Sequence, residues 1–154
     1  MFIVRDPRTN IKSLLNRLLI PGDLDALSLD NTWIPNATWR SILEGRYLES
    51  GYTHYIDVLA HRWNAAVLVY LRHVNWYFLL RYEDFLQNKV ETVNSLASSL
   101  GRQVIQDITP NVHVRYRYHA SDYKRTSTCA FFGERNLSRI NAICSEYMKL
   151  LRYK

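Results

Sequence analysis

The chain opens on an apolar run, Met1-Phe2-Ile3-Val4, that stops at Arg5. A short run of this kind, with aromatic and β-branched side chains, predicts a strand over residues 2–5. Asp6-Pro7 follows. An aspartate just before a proline suits a helix start: the carboxylate accepts the unpaired N–H groups of the first turn, and proline has no N–H to lose there. Ile11, Leu14, Leu15 and Leu18 then recur at helical spacing, so a helix is expected to run to about Leu19 and stop before Pro21-Gly22.

Residues 20–50 carry Pro21, Gly22, Pro35, Gly45 and, just beyond, Gly51, with Trp33 and Trp39 among them. This predicts a long loop region holding a short helix near residues 39–43. The series Ile56, Leu59, Ala60, Trp63, Val67, Leu71 fits one long amphipathic helix over about residues 52–73. "WYFLLRYEDF" gives a nearly continuous apolar strand ending at Arg81 or Tyr82. Strands of that kind, buried on both faces, belong to parallel sheets covered by helices. Val90, Val93, Leu96, Ala97 and Leu100 return to helical spacing, closed by Gly101. "VHVRYRYH" at 112–119 alternates apolar or aromatic with basic residues, which suits a strand or an extended basic loop. A last helix is expected over 137–151, with Ile140, Ile143, Cys144, Tyr147, Met148 and Leu151 on one face. Strand, helix, helix, strand, helix in that order predicts an α/β fold, a short parallel sheet flanked by helices. With no repeat, low-complexity tract or dividing linker, one domain over 1–154 is expected.

Charge narrows the partners. A formal net charge of +6 over 154 residues points to an anion: nucleic acid, a membrane surface, or a small phosphorylated or sulfated ligand. The two cysteines, Cys129 and Cys144, are too few for a disulfide framework or a zinc site and are expected to pack as small reduced hydrophobes. No metal is expected. No apolar run approaches the roughly 20 residues of a membrane span, and the basic-then-apolar signal pattern is lacking, so a soluble, cytoplasmic chain is expected. The sequons at Asn36 and Asn136 matter only if a leader once preceded the chain.

Arg5 stands at the carboxyl end of a predicted strand, where open α/β sheets bind ligands, and Ser13 follows eight residues later. Roughly 10 Å of helical rise separates the helix start from Ser13, a span an arginine side chain can partly cover, so both groups can reach one phosphate. The plainer alternative pairs Arg5 with Asp6 or Glu83 and leaves Ser13 in solvent.

"FIVRDPRTNIKS" resembles the 3'-phosphate-binding strand-turn-helix of the sulfotransferases that use 3'-phosphoadenosine 5'-phosphosulfate (PAPS), and "LLRYEDFLQNKVETVNSLASSLG" resembles that family's later strand and helix. The resemblance covers most of the chain and places it in the family's C-terminal half. It implies a partial P-loop-like sulfotransferase fold, with Arg5 and Ser13 on the ribose 3'-phosphate and Tyr82 near the adenine. PAPS would be the co-substrate, 3'-phosphoadenosine 5'-phosphate (PAP) the product, and a small-molecule or glycan hydroxyl or amine the acceptor. Glu83 and Asp84 fit a structural role, capping the next helix or pairing with Arg81. Lys124 and Arg125 in "DYKRTST" stand where the family has a basic, glycine-rich loop, but those glycines are missing.

The family's first strand, its phosphosulfate loop with a lysine, and its usual base all precede the arginine strand, and none can be matched here. An N-terminally truncated chain is therefore expected, inactive or weakly active by itself, with an N-terminal strand open to self-association. His54, His61, His73, His113 and His119 fall in the wrong region to inherit the base by motif, so no catalytic residue is assigned. Trp33, Trp39, Tyr47, Tyr52 and Tyr55 can line an acceptor pocket or simply form core. Two other classes compete: a non-catalytic interaction protein on a decayed sulfotransferase scaffold, and a basic nucleic-acid-binding module reading through "HVRYRYH".

Overall fold

The structure, a computed structural model, describes residues 1–28, 34, 37–48, 51–52, 54–113 and 126–154. They form two compact units, Met1–Arg5 with Tyr70–Tyr123, and Asp6–Val69 with Lys124–Lys154.

In the first unit β1 (Phe2–Val4) pairs with β2 (Leu79–Arg81) in parallel, Phe2 opposite Leu79 and Val4 opposite Arg81. The Phe2 ring stacks on Tyr70, centroids 5.0 Å apart. Helix α4 (Tyr82–Gln87) starts directly where β2 ends and carries Glu83 and Asp84 in its first turn, where the helix dipole favours acids. After Asn88, α5 (Lys89–Ser99) closes as expected. Gly101 takes φ +62, its N–H donates to Ser98 and the Arg102 N–H donates to Ala97, the paired bonds of a Schellman turn.

The second strand departs from expectation. Residues 74–76 form a short 3-10 turn, with Trp76 85% exposed, and all three residues of β2 are only half-buried. The cause lies in the cover: the described sheet has two strands, and neither α4 nor α5 contributes a buried residue. A continuous apolar run needs layers on both faces to become a fully buried strand.

In the second unit α1 (Pro7–Arg17) begins as predicted, with Asp6 accepting from the N–H groups of Arg8 (2.9 Å) and Thr9 (3.3 Å). Its stripe of Ile11 and Leu15, both essentially inaccessible, packs on α6 (Thr128–Leu150). Helix α6 buries Phe132, Asn136, Ile140, Cys144 and Met148, four residues apart each time. It starts nine residues before the expected 137. Ser127 caps it by accepting from the Ala130 N–H (3.1 Å), and Gly133, at φ +65 and ψ 169, lets the chain bend and continue. A glycine inside a helical pattern signals a break; here it is a kink.

The remaining helices are α2 (Ala37–Leu43) and α3 (Tyr55–Arg72), close to the stretches predicted. Tyr55, Ile56, Val58, Leu59, Ala60, Trp63 and Val67 of α3 are all buried. Three bonds tie α3 to α6: Arg139 to Asp57 (2.7 Å), the Asn64 amide to the Ile143 carbonyl (2.7 Å), and the Cys144 thiol to the Ala60 carbonyl (3.7 Å). Among the described residues, no helix is long and apolar enough to cross a membrane.

Candidate functional site

A parallel pair presents both carboxyl ends at one edge. Because Val4 stands opposite Arg81, the next residues, Arg5 and Tyr82, emerge side by side. The Arg5 guanidinium lies over the Tyr82 ring, 4.9 Å from its centroid. Such a contact contributes about 0.5–1 kcal/mol at a partly exposed site and fixes the plane of the guanidinium. It engages the flat face of the guanidinium, whereas a phosphate would bind the N–H edge. Arg81 supplies a second guanidinium at the same sheet end, its side chain 25% exposed and 3.6 Å from the Asp84 carboxylate. That ion pair fits the structural role expected of Asp84.

Beside Tyr82 the first unit holds a cavity of about 1190 Å³, lined among others by Tyr82, Phe85, Lys89, Val90, Val112 and His113. Lys89 forms one wall and donates from Nζ to the Val112 carbonyl. The cavity is an open groove whose lining is half polar: Gln87, Asn88, Glu91 and His113 share it with Phe85 and the aliphatic side chains. Phe85 and Lys89 were not singled out from the sequence, and His113 was named there only as a histidine in the wrong region to be the base. For Phe85 and Lys89 the signal was only helical spacing after a strand, which says nothing of which side faces a cavity.

Ser13 lies on the exposed side of α1, in the second unit. Lys124 and Arg125 lie outside the described residues, as do Trp33 and most of "VHVRYRYH". Of the aromatics considered for an acceptor pocket, Tyr55 is core instead: it is 2% exposed, donates its hydroxyl to the Pro21 carbonyl (2.9 Å), and burial pushes that phenol up to about 12. Tyr52 stacks on His61 at 4.0 Å, and Arg62 lies over Trp39 at 5.9 Å.

Cysteine chemistry divides in the same way. Cys144 is fully buried, and burial pushes its thiol up to about 12, so it behaves as a small hydrophobe. Cys129 is exposed, contrary to the expectation that both pack inside: it sits in the first turn of α6, two residues after the cap and off the buried stripe. Among the described residues, no group of three metal-ligating side chains gathers. Compared with known proteins, the chain matches no family model, no curated protein and no solved structure.

Proposed function

We propose that this chain is a sulfotransferase-family protein that binds the 3'-phosphoadenosine part of PAPS or PAP. The observation that carries the reading is the Arg5 guanidinium stacked on Tyr82 at the carboxyl end of a parallel strand pair. A permanently charged fork with its plane fixed matches a phosphate, and the cavity beside Tyr82 has room for a purine. The sequence resemblance supplies the identity of the nucleotide. In a complete site the reaction is transfer of a sulfuryl group from PAPS to a hydroxyl or amine, with PAP leaving. That step requires N–H groups and a lysine around the developing charge on the leaving phosphate, and a base for the acceptor's proton. No residue of this chain is assigned to those tasks, and its contribution is to bind and orient the nucleotide's 3' end.

A thermal-shift titration tests this. PAP at a hundred times its dissociation constant should stabilise the protein by about 2.7 kcal/mol. Arg5→Lys keeps the charge but loses the fork, and should weaken PAP about 10- to 100-fold, the value of a hydrogen-bonded charge. Adenosine 5'-phosphate, lacking the 3'-phosphate, should respond little to the substitution. No response of the folded wild type to PAP would overturn the assignment. Oligonucleotide binding that falls steeply with salt would favour a nucleic-acid reader instead.

A further inference from the structure

A histidine heads helix α3. The His54 carbonyl accepts the Val58 N–H (3.1 Å), and the His54 Nδ1 accepts the Ile56 N–H (3.3 Å), the two bonds of an N-terminal cap. The usual capping residues offer oxygens, Ser, Thr and Asn at any pH and Asp above about pH 4. An imidazole nitrogen accepts only while it is neutral, and the bond to Ile56 assigns the ring proton to Nε2. Nε2 is buried with no hydrogen-bond partner.

The cap is joined to its surroundings. The His54 ring stacks on Tyr55 at 5.1 Å, and Tyr55 donates to the Pro21 carbonyl. From α6, the Asn136 amide donates to the carbonyls of Gly22 (2.9 Å) and Leu24 (3.0 Å). The segment 21–24 is thereby clamped to the start of α3 and to α6. Four charged groups act on His54: Asp57 on α3 itself, Arg139 and Arg135 on α6, and Asp25, the residue after the clamped segment. Asp57 binds Arg139 through Oδ2 at 2.7 Å and Asp25 binds Arg135 at 2.6 Å, while the second Asp57 oxygen, Oδ1, is buried without a hydrogen-bond partner. A proton on His54 adds a third cation beside the two arginines, and burial together with Arg139 outweighs the attraction of Asp57.

We propose that His54 is an acid-sensitive latch, whose protonation at Nδ1 releases the Ile56 N–H and loosens the first turn of α3 together with segment 21–24. Burial, then the nearby Arg139, hold its pKa below the usual 6.5. The folded chain thus binds this proton less readily than the unfolded chain. The latch's contribution is fully present above about pH 6.5 and is lost as pH falls through the lower folded value. The inference stands independently of the nucleotide reading.

Amide hydrogen exchange by NMR on the full chain, from pH 7.5 to 5 and corrected for intrinsic rates, tests it. Protection at Ile56 should drop roughly fivefold, the value of one cap, in step with the His54 ring resonances. His54→Asn keeps an acceptor that does not titrate, and its protection should stay flat. His54→Ala should be weakly protected at every pH. Equal acid loss in wild type and His54→Asn would overturn the latch. Should His54→Asn not fold, the wild type alone decides: a His54 titration that leaves Ile56 exchange unchanged overturns it.

Discussion

A buried amide is a sharper commitment than a buried methyl, because its donors and acceptors must find partners or cost free energy. Asn136 is 2% exposed and spends both amide hydrogens on the Gly22 and Leu24 carbonyls. Asn136→Ala should leave those carbonyls without this donor and open a small void, costing about 1–3 kcal/mol by denaturant titration. A loss below about 0.5 kcal/mol would mean that water replaces the amide without penalty. The same burial removes Asn136 as a glycan acceptor in the folded chain, although its sequon reads like any other. At this scale the sequence shows chemistry but not exposure. Arg5 and Tyr82 were named from motifs 77 residues apart and meet in the structure. His54, whose ring takes up capping, lay outside every motif, since histidine is an uncommon cap and no local pattern announces one.

Elements were legible where a local rule decides them. Asp6-Pro7 started α1, and Gly101 ended α5, because caps are satisfied within a few residues of chain. Gly101 gives a clean test of that rule. Its φ is +62, and a Cβ built there meets nothing within 4 Å, so Gly101→Ala adds no clash and isolates the backbone cost. A loss of about 1 kcal/mol is expected, read as a shift in the denaturant midpoint. No loss would mean that the turn relaxes to negative φ. Elements were illegible where tertiary cover decides them. The "WYFLLR" run was expected to be one buried strand, yet Trp76 falls in a turn over 74–76 and β2 is only partly buried, because burial depends on layers that local spacing does not encode. The early start of α6 was hidden for a related reason. Gly133 terminates a helix in isolation, but here Phe132 is buried on one side of the kink and Asn136 on the other, so packing carries the helix through.

At the scale of the whole molecule the two units differ in how much apolar surface they bury. Val4 and Tyr70 are the buried hydrophobic residues described in the first unit, whereas the second buries a core that includes Ile11, Leu15, Ile56, Phe132, Ile140 and Met148. A fully buried side chain of this size contributes about 1.5–3 kcal/mol, so the second unit carries most of the stability. The candidate nucleotide groups, Arg5, Tyr82 and the adjoining cavity, lie on the thinner one. On the proposed reading, binding there would stabilise the chain without by itself accelerating a reaction. A 3'-phosphate held by Arg5 would be held equally in ground and transition states, and uniform binding leaves the chemical barrier where it was. Rate comes from donors aimed at charge that appears only during transfer, where losing one donor typically costs about 100- to 1000-fold. The 154-residue chain is therefore expected to bind PAP while showing no enzyme-like turnover of PAPS. The check is a radiolabelled PAPS assay against phenols, amines and glycans, run on preparations whose PAP binding has first been measured. Transfer at an ordinary enzymatic rate, abolished by Arg5→Ala and so not due to a contaminant, would overturn the expectation. It would place a base and charge-stabilising donors within this chain, with His61 beside Tyr52 and His113 at the cavity rim as the groups to replace next.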